Sequence, residues 1–526
     1  MKHWEEIEIG NIEGFNSQEL KYIDPFSEKV REISKKFDIY TGLKDKERII
    51  GLIEEAKQLL NHAETADKAS ICYSLGTAYG DLIEFDLSNE KEDIQNNQIF
   101  YLRESINYIE SEEMQKAEYK PYVNGFKLNL YTNYGNALDR IGRKIAAIEQ
   151  YRKVLSINAN FGMALGNLGV AYQHYGMLLH DSEYRDTLHK FSYHYLTLAV
   201  NSTDPSIYEE ARDYFFRLIS NYDSDYIENV LKEPVNISVQ NYDNKEEYEY
   251  RKWALDSGLF LNPLNDLPFE KFCFTDDVLQ LPNMILKVSD KPIFHGMFNQ
   301  FKQEYIFARY QYYCSLKFQD EPLYADKETY LLNFGDYPQY SIRIEMLKSS
   351  FKLLYSLLDK VAYFINSYFD LGISERDVSF HNIWLKEKKG RCGYKYKNIL
   401  NPNENFALAS IYWVGKDFYK KLCASPNPQA KRIKDIRNAL EHKYVKVCWD
   451  WGGNRMNGEV DDLAFYITES ELYQETYNLL KLIREILICL SIAVSIEEDK
   501  KKCDDDFDYS KVYQINLMDY DDEWKV

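Results

Sequence analysis

The side chains best suited to chemistry lie together in the hexamer RNALEH, residues 437–442. Imidazole exchanges protons near neutral pH and a planar guanidinium binds two phosphate oxygens at once, so His442 and Arg437 suit proton transfer beside a phosphate. On a helix, Asn438 and His442 lie four residues apart on one line. Arg437 lies at the boundary between this polar line and the apolar stripe. A histidine outside the apolar stripe faces solvent or a partner rather than the core. The apolar stripe predicted on the other side is Ile433, Ile436, Leu440, Tyr444 and Val447.

The hexamer belongs to a basic part of an acidic chain. Residues 384–446 hold fifteen Lys or Arg against five Asp or Glu, whereas the whole chain carries a net charge of −20. Cations track phosphates and aromatic faces stack bases, so an RNA site is expected here, while the rest of the surface repels nucleic acid and anionic membranes. A solvated basic face explains the loop 386–397 equally well. The predicted RNA-binding residues are Tyr394, Lys395, Tyr396, Lys397, Lys434, Lys443 and Lys446.

Other kinds of catalytic site find no support in the sequence. It contains no glycine-rich phosphate loop, no HExxH and no GxSxG motif. Four histidines fall within residues 174–194, but they lack zinc-ligand spacing and a completing cysteine or carboxylate pair, so we interpret them as ordinary histidines. We therefore expect no metal and no cofactor. These histidines are His174, His180, His189 and His194.

Apolar periodicity predicts a helical bundle around the hexamer. Segments 294–316, 406–422, 431–447 and 471–494 have helical patterns, and a further segment has an apolar seam with spacings of four and three. Four or five such helices predict a bundle domain over residues 265–500. The seam consists of Leu347, Phe351, Leu354, Leu358, Val361 and Ile365.

The first half of the chain contains a helical repeat. Gly135 and Gly169 lie 34 residues apart in similar surroundings, and an earlier copy surrounds Gly76. The segment 131–160 resembles a tetratricopeptide (TPR) repeat, except that Ala159 stands where that family usually has proline. The resemblance implies a TPR-type α-solenoid over residues 66–260, preceded by a helical cap at 1–65, with a protein or peptide partner on its concave surface. The matching positions are Gly135, Gly142, Ala147, Tyr151 and Leu155.

The R-N-x-x-x-H hexamer on a late bundle helix resembles the RxxxxH motif of the HEPN family, many of whose members are metal-independent ribonucleases. The resemblance covers about residues 285–500 and implies catalytic roles for Arg437, Asn438 and His442. It also implies that two copies of the domain pair, so that their motifs share one cleft in a homodimer or higher oligomer. RNA would then be cut to 2′,3′-cyclic phosphate and 5′-hydroxyl ends. Proteins with this layout are commonly bacterial toxins or antiphage defence effectors.

Composition agrees with an all-α protein. Glycine and proline make up only 36 of 526 residues, which disfavours turn-rich β architectures. The eight cysteines form no CxxC pair, and the N-terminus resembles no signal peptide, so we expect a cytoplasmic protein without a membrane anchor.

Two other functions remain open on the sequence alone. One is a non-catalytic TPR regulator that binds peptides and dimerises through its bundle, and the other is an RNA-binding adaptor that does not cut. Residues 501–526 form an acidic tail, which is either solvated or folded over the basic cleft as an RNA mimic.

Overall fold

The computed structural model describes residues 22–85, 91–235, 238–269, 271–287, 291–317, 323–332, 338–384, 404–418, 428–450, 463–502, 512–514 and 522–525. Helices dominate these residues, and the predicted all-α class is confirmed. In the part of the chain that the structure describes, no helix is long and apolar enough to cross a bilayer.

The first half is a succession of helices, most of which pack against their neighbours in sequence as antiparallel hairpins. Three such hairpins follow one another, over residues 65–109, 120–157 and 162–201. The helices are α1 (Glu28–Gly42), α2 (Lys46–Leu60), α3 (Thr65–Leu82), α4 (Lys91–Ile109), α5 (Lys120–Arg140), α6 (Lys144–Ile157), α7 (Gly162–Leu178), α8 (Ser182–Asn201), α9 (Glu209–Ser220), α10 (Ser224–Tyr226) and α11 (Lys245–Asp256).

The α5–α6 hairpin shows why its small residues are needed. A Cβ added at Gly135 would lie 2.5 Å from Cε1 of Tyr151, so only glycine lets the two helices approach this closely. Gly142 forms the turn with φ +87°, a left-handed conformation that favours glycine, and Ala147 is fully buried. These positions have the roles that the repeat pattern predicts, whereas membership of the TPR family stays a prediction.

Five α-helices of the described residues form the second half. Their apolar faces share one core with buried residues of the first half. The predicted seam from Leu347 to Ile365 is buried throughout. The helices are α12 (Ile293–Lys317), α13 (Ile342–Tyr368), α14 (Phe406–Phe418), α15 (Pro428–His442) and α16 (Glu469–Lys502).

Two small sheets accompany the bundle. β2 (Tyr444–Cys448) pairs in parallel with β3 (Ala464–Thr468), so the prediction of a helix through Val447 is wrong. The segment YVKVC is rich in aromatic and β-branched residues, and its pairing with β3 overrides the helical period. The other sheet pairs β1 (Ile285–Lys287) with β4 (Val512–Gln514) in antiparallel fashion.

The strand β4 locates a described part of the acidic tail. Its partner β1 lies beside the distal part of α16, where Glu498 accepts a hydrogen bond from the backbone N–H of Ile285 at 2.7 Å. Arg432 of α15 pairs with Glu471, which lies 27 residues, or about 40 Å, earlier along α16. This strand is therefore far from that contact with α15. Asp522–Lys525 form a short, exposed 3-10 turn, and residues 503–511, 515–521 and 526 of the tail lie outside the described residues.

Buried ion pairs join the two halves. Arg143, just after the α5–α6 turn, donates two hydrogen bonds to Glu485 of α16 at 3.0 and 2.7 Å, and both side chains are less than a tenth exposed. Arg103 of α4 binds Asp417 of α14 in the same bidentate way at 2.6 and 2.9 Å. Burial opposes the charge on Arg143, but Glu485 outweighs it and raises the pKa of the guanidinium. Further pairs across this joint are Glu92 with Lys416 and Glu149 with Lys481.

Candidate active site

Helix α15 carries the hexamer and turns its apolar side into the bundle. Ile433, Ile436 and Ala439 are buried, Asn438 is half-buried and His442 is exposed. The helix packs against α13, α14 and α16, which fixes its rotation. Asn438 and His442 consequently lie outside the apolar side, in agreement with the helical spacing.

Arg437 is held at the edge of this packing. Its guanidinium carbon lies 5.4 Å from the centre of the Tyr355 ring on α13, and its Nη1 donates to Oδ1 of Asn438 at 3.2 Å. Its Nε is buried and has no hydrogen-bond partner among the described residues. A buried donor without an acceptor costs about 1–3 kcal/mol, so an anion that reaches this nitrogen recovers that energy.

His442 is the last residue of α15 and begins an exposed surface. Lys443 and Tyr444 follow it and are also exposed, and the Tyr444 hydroxyl lies 2.9 Å from the Tyr340 hydroxyl. These two rings are 45% and 48% exposed, which leaves aromatic faces open next to a lysine. Open rings beside cations are a suitable surface for single-stranded nucleic acid.

A cavity of about 510 Å³ adjoins Arg437 between α12, α13 and α15. Phe301, Tyr355 and Tyr363 supply its aromatic walls. Its volume lies within the range of small-molecule sites, about 300–1,000 Å³. The polar side chains that line it are Gln300, Lys352, Ser356, Asp359, Lys360, Arg437 and Glu441.

A larger cavity of about 1,100 Å³ lies at the joint between the two halves. It includes the paired residues Arg143 and Glu485 and touches α15 at Ala430 and Ile433. The residues that line it do not include the hexamer. This cavity therefore lies between the first half and α15, and it is not the predicted active site.

The predicted RNA-binding residues differ in their exposure to solvent. Lys443 is exposed and Lys434 is half-buried on α15. Lys446 is only 5% exposed and lies 5.2 and 5.5 Å from the ring centres of Tyr444 and Tyr466, so the prediction that it contacts RNA is wrong. Its place on an inward-facing strand position, rather than on a helix surface, is the physical reason. Tyr394, Lys395, Tyr396 and Lys397 lie outside the described residues.

Two described cations of the basic stretch are bound to carboxylates. Lys416 is 1% exposed and pairs with Glu92 at 2.6 Å, and Arg432 pairs with Glu471 at 2.5 Å. These cations serve packing between helices. Each of these two cations is therefore neutralised by a carboxylate on another helix.

The histidines of the first half have separate partners. His174 lies 3.3 Å from Lys144 Nζ, and His189 lies 3.3 Å from the Tyr226 hydroxyl. Burial lowers the pKa of both imidazoles. Within the described ranges, no three His, Cys, Asp or Glu side chains gather closely enough to hold a metal ion.

The cavity residues on α13 were missed in the sequence. Lys352, Tyr355, Asp359 and Tyr363 recur every three or four residues beside the apolar seam, so their shared face was available as a signal. Nothing in that spacing indicated that α15 would cover the same face with Arg437.

The part of the chain that contains the hexamer matches a known protein family. Residues 285–497 match the model of the LA2681-like HEPN family, a span that contains α12 to α15 and most of α16. The match assigns a HEPN domain to this part of the chain. No curated protein and no solved structure matches the chain.

Proposed function

We propose that the chain is a metal-independent endoribonuclease whose active site contains Arg437, Asn438 and His442. The 2′-hydroxyl of RNA gives up its proton as its oxygen attacks the adjacent phosphorus, the P–O5′ bond breaks, and the leaving 5′ oxygen takes up a proton. The products are a 2′,3′-cyclic phosphate and a 5′-hydroxyl, and the sequence of bond changes needs no redox partner.

Each side chain has a role that follows from its chemistry. His442 moves a proton to or from the reacting oxygens, because imidazole does so near neutral pH. Arg437 binds the phosphate oxygens, whose negative charge grows in the transition state. Asn438 orients the guanidinium through the hydrogen bond at 3.2 Å.

The observation that carries the proposal is the unpaired, buried Nε of Arg437 on the same helix as an exposed His442. Buried donors of a structural arginine normally have acceptors, as those of the more deeply buried Arg143 do in Glu485. The assignment of a HEPN domain to residues 285–497 supports the same interpretation, since HEPN domains are commonly ribonucleases.

The active form in this proposal is a homodimer or higher oligomer in which the two hexamers meet. His442 and the half-exposed Tyr340 and Tyr444 give each protomer an outward face that a second copy covers. RNA would enter along this face, with Lys443 near its phosphates.

The first half of the chain is proposed to regulate the nuclease. A protein or peptide bound to its helical hairpins acts on the HEPN domain through the ion pairs at Arg143 and Arg103, which reach α16 and α14. Such a layout suits a bacterial toxin or an antiphage defence protein.

Incubation of the full chain with total RNA in EDTA tests the activity. His442→Ala and Arg437→Ala should each reduce cleavage at least about 100-fold, the usual range for a lost acid–base group or oxyanion partner, without changing helix content. His62→Ala, which removes an exposed histidine after α2, is the matched control and should cleave normally.

The chemical nature of the ends gives a second criterion. A 2′,3′-cyclic phosphate is predicted, so phosphatase and polynucleotide kinase treatment of the fragments distinguishes it from a 3′-hydroxyl. Cleavage that persists in both site variants, or that leaves 3′-hydroxyl ends, would refute the assignment. RNA binding without cleavage by every form of the chain would favour the adaptor function instead.

A further inference from the structure

The cavity beside Arg437 is lined along one face of α13. On α13 it starts at the exposed Lys352, passes Tyr355 and Asp359, and ends at Tyr363, a distance of about 16 Å along the helix axis. Arg437 lies over Tyr355, about one helical turn from Lys352. Lys360 lines the cavity beside Asp359, where it pairs with Glu304. Glu441, one residue before His442, lines the same cavity from α15. Cations thus meet carboxylates and aromatic rings within one small site.

We propose that this cavity binds a guanine nucleotide of the RNA, the one next to the scissile phosphate, and so selects where the chain is cut. The inference rests on the proposed ribonuclease function and adds to it the identity of a base. The phosphate lies at Arg437 and Lys352, and the base extends along α13 towards Asp359 and Tyr363.

The carboxylates select guanine by their hydrogen-bonding character. Asp359 accepts a hydrogen bond from the Phe380 backbone N–H through Oδ1 at 3.0 Å, and its carboxylate has further acceptor capacity towards the cavity. A carboxylate has no donor when ionised, so it requires donors on the base. Guanine has two adjacent donors on its Watson–Crick edge, N1–H and N2–H, whereas uracil has a single N–H between two carbonyl oxygens. Proteins usually recognise single-stranded RNA through these edges.

The aromatic lining provides the second part of recognition. Tyr363 is 41% exposed, and the buried Phe301 also lines the cavity. Exposed aromatic rings stack on bases irrespective of sequence, with purines offering the larger face. Stacking therefore supplies affinity, and Asp359 supplies the choice of base.

Asp359→Asn is the sharpest variant, because the asparagine carbonyl oxygen can still accept from Phe380 while its amide presents a donor to the cavity. Glu345→Gln, which removes an exposed carboxylate from the same helix outside the cavity, is the matched control. Tyr363→Leu is a second variant that removes the ring from an exposed position. The probes are 3′-guanosine monophosphate and 3′-uridine monophosphate, titrated calorimetrically against the full chain, together with mapping of all cleavage ends in total RNA.

We expect the wild-type chain and Glu345→Gln to bind the guanine nucleotide at least about tenfold more tightly than the uracil nucleotide and to cut next to guanine. Asp359→Asn should lose that tenfold preference in both measurements, and Tyr363→Leu should weaken both nucleotides alike. Cleavage with base-indifferent ends, or a guanine preference that survives in Asp359→Asn, would overturn the inference and leave the ribonuclease standing. Selective nucleotide binding without any cleavage would support the cavity and contradict the nuclease. Neither binding nor cleavage would contradict both.

Discussion

Replacing Glu485 tests whether the two halves of the chain are energetically joined. Glu485→Gln removes the charge that neutralises Arg143 but preserves the size of the side chain. Arg143 then stays 9% exposed, and Asp417, at 3.6 Å from its Nη1, is its remaining ionic partner among the described residues. Breaking one side of a buried ion pair costs about 3–5 kcal/mol, and the residual contact with Asp417 places the expected loss near 3 kcal/mol.

The measurement is the free energy of unfolding from urea denaturation of the full chain, monitored by circular dichroism. The double variant Arg143→Met, Glu485→Leu should recover most of the loss, because apolar side chains of similar volume often replace buried pairs at little cost. Glu228→Gln, which disrupts an exposed pair with Lys232, should change the free energy of unfolding by less than about 0.5 kcal/mol.

Two results would refute an energetic link between the two halves through this ion pair. A loss below about 1 kcal/mol in Glu485→Gln would mean that water or a local rearrangement satisfies Arg143, and the joint would not be a rigid link. If the double variant is as unstable as Glu485→Gln, then Glu485 stabilises the chain through an interaction other than its ion pair with Arg143.

Two further predictions follow from the packing. Gly135→Ala should destabilise the chain by about 1–3 kcal/mol, measured as a lower urea midpoint, because the new methyl group would lie 2.5 Å from a ring carbon of Tyr151. Burial raises the pKa of Asp277, but the Arg309 guanidinium at 2.7 Å outweighs it and the net pKa lies below the ordinary 3.8. The stability from this carboxylate is therefore present above about pH 4 and lost as the pH falls through the lowered pKa, so the difference in unfolding free energy between wild type and Asp277→Asn should shrink on acidification.

Local patterns predicted the helices but not the contacts between distant segments. The alternating spacings of four and three from Leu347 to Ile365 were sufficient to identify α13, and the glycine spacing identified the hairpins, because both are properties of one helix or one helix pair. The pair Arg143–Glu485 joins residues 342 positions apart, and no periodicity reports such a contact.

The hexamer was identified from residue types, whereas its surroundings required the fold. The polar line of Asn438 and His442 follows from helical geometry alone. The end of α15 at His442 does not, because β2 is stabilised by pairing with β3, whose sequence lies about 20 residues later. For the same reason Lys446 was assigned to the wrong surface.

Arg437 and His442 diverge on α15, which favours the proposed assembly of the site from two copies of the chain. Five residues on an α-helix advance about 7.5 Å along the axis and turn about 140°, so one guanidinium and its own imidazole do not face the same point. A twofold pairing brings the His442 of one copy towards the Arg437 of the other. If the site is shared in this way, a mixture of inactive Arg437→Ala and His442→Ala chains, refolded together, should regain about a quarter of wild-type cleavage, since half of the dimers are mixed and each has one intact site. A mixture that stays inactive, while size measurements show mixed dimers, would place both catalytic side chains within one protomer.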